Sequence, residues 1–430
     1  MEIRIEKMIY GGDGLARLPA DASGRSKTVF VPFVIAGEKV SAQMVEEKAG
    51  YGRAQAGHIL TPSPLRTEAG CPYFYRCGGC HYQHIGYEGQ LQAKSQILRE
   101  TLQRAARIDW PGEIQTHASP PWNYRNRTRM HVRAKDFAIG YFRMQSRELL
   151  PVEACPISSP LINRAIQAIW KLGRAGKVPA AVQEIEFFAN AGDGALLLEV
   201  YCSFADASEE AMRDFAAAMQ AELPELAGAI AFATGSSLFP WDSPSWTFGA
   251  TSLEYKTRHG NYRVQRGSFF QTNRHLVETL VDLVVEGRSG RMAYDLYAGA
   301  GLFAAPLARS FERVIAVESS PPSAEDLAHN VPANVDAVFH TVEEFLRRPP
   351  ETGKPELVVV DPPRAGLEPK SLRGLVRLAA PLLTYVSCDP ATLSRDLRVL
   401  IESGYKVQAI HLVDLFPQTF HLESVVHLAL

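Results

Sequence analysis

With 430 residues, 46% hydrophobic and 21% charged, the chain is long enough for two or three domains, each with its own core. A formal charge of only −2 excludes a uniformly basic nucleic-acid coat, so any surface for a polyanion must be local. No apolar run approaches membrane length and Met1-Glu-Ile-Arg-Ile-Glu6 has no signal-peptide core, which predicts a cytoplasmic protein with no membrane partner.

The first 60 or so residues alternate apolar and polar positions between turns: Gly11-Gly-Asp-Gly14, then Thr28-Val-Phe-Val-Pro-Phe-Val34, then Gly37-Glu-Lys-Val40 and a strand over 43–46. Short strands between glycine turns predict a small OB-like β-barrel over 1–62. Its Lys39, Lys48 and Arg53 are available either for phosphate or simply for solvent. Thr61-Pro-Ser-Pro-Leu65 reads as a linker.

Cys71, Cys77 and Cys80 follow, bent around Gly78-Gly79, with Cys155 much later. Three thiolates within ten residues and a fourth from a distant loop can face one metal centre, and the spacing leaves zinc and an iron-sulfur cluster both open. Six cysteines in so long a chain suit a metal site and a reactive thiol better than a disulfide framework.

Residues 90–106 have helical spacing. In Tyr124-Arg-Asn-Arg-Thr-Arg-Met-His-Val-Arg133, the residues Arg125, Arg127, Arg129, His131 and Arg133 fall on alternate positions, so in a strand they share one face. Like charges in such a row need an anion across them, either RNA phosphate or nearby acids. Strands over 137–141, 184–188 and 195–201 and a helix over 209–221 predict an α+β central domain at 63–262, with the helix near 91–118 packed on the domain that follows. Cys202 is a strand residue with no chemical task.

The last segment, 263–430, has a different rhythm. Met292-Ala-Tyr-Asp-Leu-Tyr-Ala-Gly-Ala-Gly-Leu-Phe303 is a strand entering a glycine loop, and Ala304 stands where the third glycine of G-x-G-x-x-G would be. The strand Val314-Ile-Ala-Val-Glu318 ends in a carboxylate suited to ribose hydroxyls, a device nicotinamide enzymes also use. Leu357-Val-Val-Val-Asp-Pro-Pro-Arg364 and Leu382-Leu-Thr-Tyr-Val386 are buried parallel strands, and Cys388 lies on the turn between the second and a helix starting near Thr392. A lone cysteine there is more often a small buried hydrophobe than a nucleophile.

With Asp295 before the glycines, this order resembles a class I S-adenosylmethionine methyltransferase of Rossmann-like α/β fold. More specifically, Gln271 in Ser268-Phe-Phe-Gln-Thr-Asn273, the 295–301 loop, Asp361-Pro-Pro-Arg-Ala-Gly366, Ser387-Cys-Asp-Pro-Ala-Thr392 and His421-Leu-Glu-Ser-Val425 occur in the order found in RNA (uracil-5-)-methyltransferases. The chain is identified as a member of that family, in the iron-sulfur branch that modifies 23S ribosomal RNA, and the resemblance covers nearly the whole chain. It implies a TRAM domain for the barrel and a 4Fe-4S cluster on Cys71, Cys77, Cys80 and Cys155. It further implies S-adenosyl-L-methionine held by Gln271, Tyr297, Leu302, Glu318 and Asp361, with Cys388 as nucleophile at uracil C6 and Glu423 as the base that removes the C5 proton. The helix after Cys388 is expected to lower the thiol's pKa. The implied partner is RNA, with Arg125, Arg127, Arg129 and Arg133 on its phosphates, and the implied state is a monomer. Rival readings are a transfer-RNA substrate, a cytosine-5-methyltransferase, an amino-methyltransferase with no use for Cys388, and a non-catalytic RNA-binding protein on the same scaffold.

Overall fold

The structure is a computed structural model that describes residues 1–20, 24–203, 208–234, 246–350 and 353–430. Three large sheets and one two-stranded hairpin organise them. The N-terminal sheet has six strands in the order Glu2–Arg4, Lys39–Glu47, Tyr51–Thr61, Thr28–Pro32, Asp13–Arg17, Lys7–Met8. Its outermost strands, Glu2–Arg4 and Lys7–Met8, are consecutive in the chain and separated by two residues, so the sheet curls until its edges meet. Every second side chain, among them Val29, Val31 and Val40, turns inward to a core of its own.

A seven-stranded sheet follows, in the order Leu149–Pro151, Ala138–Phe142, Arg127–Arg133, Val182–Ala189, Leu196–Ser203, Leu226–Thr234, Trp246–Gly249. The helices Pro160–Arg174 and Glu209–Glu222 cover it. Each opens on a serine cap, Ser159 and Ser208, whose side chain accepts the third amide of its helix.

The eight-stranded sheet carries the site. Its order is Val335–Phe339, Phe311–Glu318, Gly290–Leu296, Leu357–Val360, Leu382–Ser387, Glu423–Ala429, Lys406–Val413, Gln115–His117. The first five strands are parallel, and Glu423–Ala429 runs antiparallel between Leu382–Ser387 and Lys406–Val413. The edge strand Gln115–His117 comes from far upstream and pairs in parallel with Lys406–Val413. The helix Tyr87–Thr101 shares a core with this sheet, Leu98 lying with Leu393 and Leu397. Residue 262 lies inside a hairpin, Ser252–Thr257 with Gly260–Gln265, whose Leu253, Tyr255, Tyr262 and Val264 share one core with Phe188 and Phe232 of the seven-stranded sheet and with Ala293 and Val314 of the eight-stranded sheet, so the hairpin is anchored on both. The anchoring is polar as well as apolar: Arg263 and Gln265 both bind the buried Asp326 of the helix Pro321–Asn330. Among the described residues no helix is long and apolar enough to cross a membrane.

Candidate active site

Asp361 directly follows the strand Leu357–Val360, and Cys388 directly follows Leu382–Ser387. The antiparallel register pairs Ser387 with Ser424, so the next position in that register brings Cys388 opposite Glu423. Three adjacent strands therefore deliver a thiol and two carboxylates to one edge of the sheet, the carboxyl end where open α/β sheets hold their ligands. The helix Pro390–Glu402 begins immediately after Cys388, with Pro390 in its first turn and Asp389 as its cap, accepting from Ala391 N at 2.9 Å and Thr392 N at 3.0 Å. Across from it the Asp361-Pro-Pro-Arg364 loop is locked down: Arg395 donates to the carbonyls of Ala365 and Leu367, and Asp396 accepts from Leu367 N and the buried Tyr385 hydroxyl. Gly366 sits at φ +73°, and a Cβ there would come within 2.6 Å of the Arg395 guanidinium, so this contact requires glycine.

The expected lowering of the Cys388 pKa is reversed. Burial first, then the Glu423 and Asp361 carboxylates, push the thiol up to about 12, outweighing Arg364. Glu423, only 4% exposed, is held well above the usual carboxylate range by burial and then by Asp361, against Arg364. Desolvation raises Asp361 to about 7. Burial thus favours the protonated form of all three groups, and Arg364 is the cation that favours the ionised form of both Cys388 and Glu423.

Further along the edge, the glycine loop begins at Tyr297, a non-glycine residue at φ +67°. Asp295 is fully buried at the end of its strand, and neither carboxylate oxygen has a hydrogen bond. Burial, then Asp361 and Glu318, raise it to about 8; the Ala304 amide lies near enough to oppose the shift without closing a hydrogen bond of normal geometry. Two bare buried oxygens facing a ligand loop fit a positively charged cofactor such as S-adenosylmethionine. Glu318 ends its strand as expected, but its carboxylate accepts from the amides of Gly299, Ser319 and Ser320, so its remaining lone pairs are what a ribose would meet. At Leu302 the side chain joins the core with Phe270 and Phe303, and the carbonyl accepts from the Tyr262 hydroxyl. Gln271 is 8% exposed and follows Phe270, which packs against the same loop.

The segment 414–422 leading to Glu423 is pinned from elsewhere in the chain. Lys94 and Asp414 form an ion pair at 2.6 Å with both side chains fully buried, and Lys94 also donates to Phe416 O. Gln90 and Gln418 bond reciprocally, side chain to side chain and side chain to backbone. Removing one charge of a buried pair strands the other. Lys94→Ala should therefore cost about 3–5 kcal/mol, whereas Lys94→Met with Asp414→Leu, which leaves no buried charge but removes the partners of Phe416 O and the Tyr87 hydroxyl, should cost less; urea unfolding of the two proteins reads the difference.

The four thiols of Cys71, Cys77, Cys80 and Cys155 line one cavity of about 380 Å³ together with Arg125, Arg129 and Arg143. Among the described residues no three His, Cys, Asp or Glu side chains converge tightly enough to hold a single metal ion. The arginine row has the predicted strand alternation but a different occupant. Arg127 pairs with Glu186 and Glu199 and lies over Phe188, Arg129 pairs with Glu186 and stacks on Tyr201, and His131 meets Glu184. Arg125 faces the thiols. Of the two kinds of anion open to the row, acids serve Arg127 and Arg129, from Val182–Ala189 and, for Arg127, also from Leu196–Ser203, and of the row Arg133 alone is exposed with no ion pair among the described residues.

The family described as tRNA (Uracil-5-)-methyltransferase matches residues 86–347 and 352–430. An uncharacterized RNA methyltransferase of Aquifex aeolicus is 32% identical over 433 residues, covering 99% of this chain and 97% of the relative. The 23S rRNA (uracil(1939)-C(5))-methyltransferase RlmD of Halomonas elongata is 31% identical over 445 residues, covering 99% and 88%. The crystal structure of Pyrococcus abyssi tRNA (uracil-54, C5)-methyltransferase in complex with S-adenosyl-L-homocysteine shares the fold over the whole of both chains, with a TM-score of 0.76 at 23% identity. The chain belongs to the RNA (uracil-5-)-methyltransferase family, S-adenosylmethionine-dependent enzymes that methylate carbon 5 of uracil in RNA.

Proposed function

We propose that the chain methylates a uridine of 23S ribosomal RNA, with Cys388 as the nucleophile and Glu423 as the base. The observation that carries this is the register that sets Cys388 and Glu423 opposite each other, with Asp361 one strand away. Carbon 5 of uracil is a weak nucleophile until a thiolate adds to carbon 6; Cys388 first loses its proton to solvent, Arg364 favouring the thiolate, and the sulfur then forms that bond while the ring electrons move to carbon 5. S-adenosylmethionine supplies the electrophilic methyl group. Glu423 then takes the carbon 5 proton, the electrons return to the ring, and the bond from carbon 6 to sulfur breaks to release Cys388. Asp361 borders both reactants and can accept from uracil N3. Carbons 5 and 6 of a paired uracil are out of reach, so the base must be turned out of its stack or taken from a loop.

The ribosomal substrate is supported by relatives named for it from Halomonas elongata and Vibrio parahaemolyticus, the latter 27% identical over 438 residues. Tritium release from carbon 5 of unmodified 23S RNA and of bulk transfer RNA tests the choice. Release from transfer RNA alone would transfer the assignment to that substrate, and release from neither would favour an RNA-binding protein without turnover.

We assign the thiol cavity to a 4Fe-4S cluster. Four cysteines from two distant loops lining one cavity could serve a cluster or zinc, and the resemblance to the iron-sulfur branch is what favours the cluster. Arg125 beside them would balance the negative charge of a thiolate-ligated cluster. Purified without oxygen, the protein should carry iron and sulfide with broad visible absorption, and Cys155→Ser should lose most of both. Zinc in their place would overturn the assignment. The curled N-terminal sheet fits a TRAM-like RNA-contacting barrel, and Arg133 is the member of the arginine row best placed for phosphate.

A further inference from the structure

A turn of the N-terminal sheet reaches the reaction centre through Tyr10. Tyr10 stands on the turn between Lys7–Met8 and Asp13–Arg17, and its hydroxyl donates to the Cys388 carbonyl at 3.4 Å. Its ring meets Phe420 edge-on, with centroids 5.4 Å apart. Phe420 in turn lies against His81 at 4.6 Å and His421 at 4.2 Å, two residues before Glu423. His81, next to Cys80 in the cysteine loop, donates its amide to Gln418 O, as does Tyr82. The turn that presents Tyr10 is built for this approach: Gly12 adopts φ +94°, and a Cβ there would lie 3.2 Å from His81. Tyr10 therefore contacts both the turn that carries the thiol and the segment that carries the carboxylate.

We propose that Tyr10 is a positioning residue of the reaction, clamping the Cys388 turn and the segment before Glu423 at a fixed separation from a part of the chain otherwise remote from the site. This rests on the assignment of Cys388 and Glu423 above. A clamp and an RNA contact make opposite demands on the kinetics. If Tyr10 clamps, its loss lowers kcat while the KM values for RNA and S-adenosylmethionine stay put; if it contacts RNA, its loss raises the KM for RNA and spares kcat. Tyr10→Phe keeps the ring and removes the hydroxyl, and Tyr10→Ala removes both.

The test uses the full chain as purified. The two variants are compared for kcat, for KM of both substrates, and for the pH profile of Cys388 alkylation by iodoacetamide, read by mass spectrometry of the Cys388 peptide without RNA or cofactor. We expect Tyr10→Ala to lower kcat by about tenfold or more, with both KM values within about twofold. Tyr10→Phe should lie between it and the native protein, and both variants should shift the alkylation midpoint. Because alkylation involves no methyl transfer, this readout stands even if the proposed reaction is wrong. A raised KM for RNA at native kcat, or native kcat and an unmoved alkylation profile in both variants, overturns the proposal. Should Tyr10→Ala fail to fold, Tyr10→Phe alone decides.

Discussion

Glu423→Gln should turn a catalyst into a trap. The substitution keeps the size and burial of the side chain but removes the carboxylate that accepts the carbon 5 proton, so thiol addition and methyl transfer can proceed while release cannot. The expected product is a denaturation-stable complex of protein and methylated RNA, about one RNA per chain, with turnover reduced by about 10²- to 10⁴-fold. Cys388→Ala removes the bond-forming atom itself: no adduct and no tritium release are expected, even though the strand and the Asp389 cap remain. The pair is more informative than either alone. A Glu423→Gln protein that turns over normally would remove Glu423 from the mechanism, and a Cys388→Ala protein that still methylates would point to an amino-methyltransferase chemistry that has no need of a thiol.

The two chemical groups were not equally legible in the sequence. Cys388 could be placed from local rules alone, because an apolar run stopped by Asp389-Pro390 defines a strand, a cap and a helix start within a few residues. Glu423 could not, since its place depends on an antiparallel return strand whose register with Leu382–Ser387 is a property of the folded sheet. Only resemblance of His421-Leu-Glu423 to a known motif marked it. The arginine row shows the same limit in reverse. Its alternation is local and was readable, but the acids that occupy Arg127 and Arg129 arrive on Val182–Ala189 and Leu196–Ser203, more than 50 residues away in the chain. Tyr10, Lys94 and Gln90 act on the site across more than 300 residues, and the three-residue strand Gln115–His117 is too short for any period to be seen. The sign of the Cys388 shift failed for a related reason: a helix N-terminus is visible in sequence, whereas burial beside two carboxylates is not.

Asp295 and Asp361 should make cofactor binding proton-linked. Asp295 is raised to about 8 and Asp361 to about 7, so near pH 6 both are largely protonated in the folded, ligand-free chain. The sign follows from proton counts. An unfolded aspartate ionises near pH 4, so between about pH 4 and pH 8 the folded state holds protons that the unfolded state has lost, and these two groups lower stability as pH rises. A cation placed beside them favours the ionised forms, releases protons on binding, and so binds more tightly as pH rises. S-adenosylmethionine and S-adenosylhomocysteine differ by one methyl group and its positive charge, which isolates the effect of the sulfonium. From pH 6 to pH 8 the Kd for S-adenosylmethionine should fall by about tenfold or more, towards a limit of about tenfold per pH unit for each proton released, while that for S-adenosylhomocysteine should fall by less than about threefold. Titration calorimetry in buffers of different ionisation enthalpy counts the protons directly, and Asp295→Asn should flatten the slope. Equal slopes for the two ligands would mean that the carboxylates face the amino group the ligands share, and the sulfonium would then have no part in deprotonating the site. With unequal slopes, the charge that arrives with the methyl donor also helps ionise a site in which Asp361 adjoins Glu423 and Cys388, and transfer of the methyl group removes that charge, weakening the hold on the product.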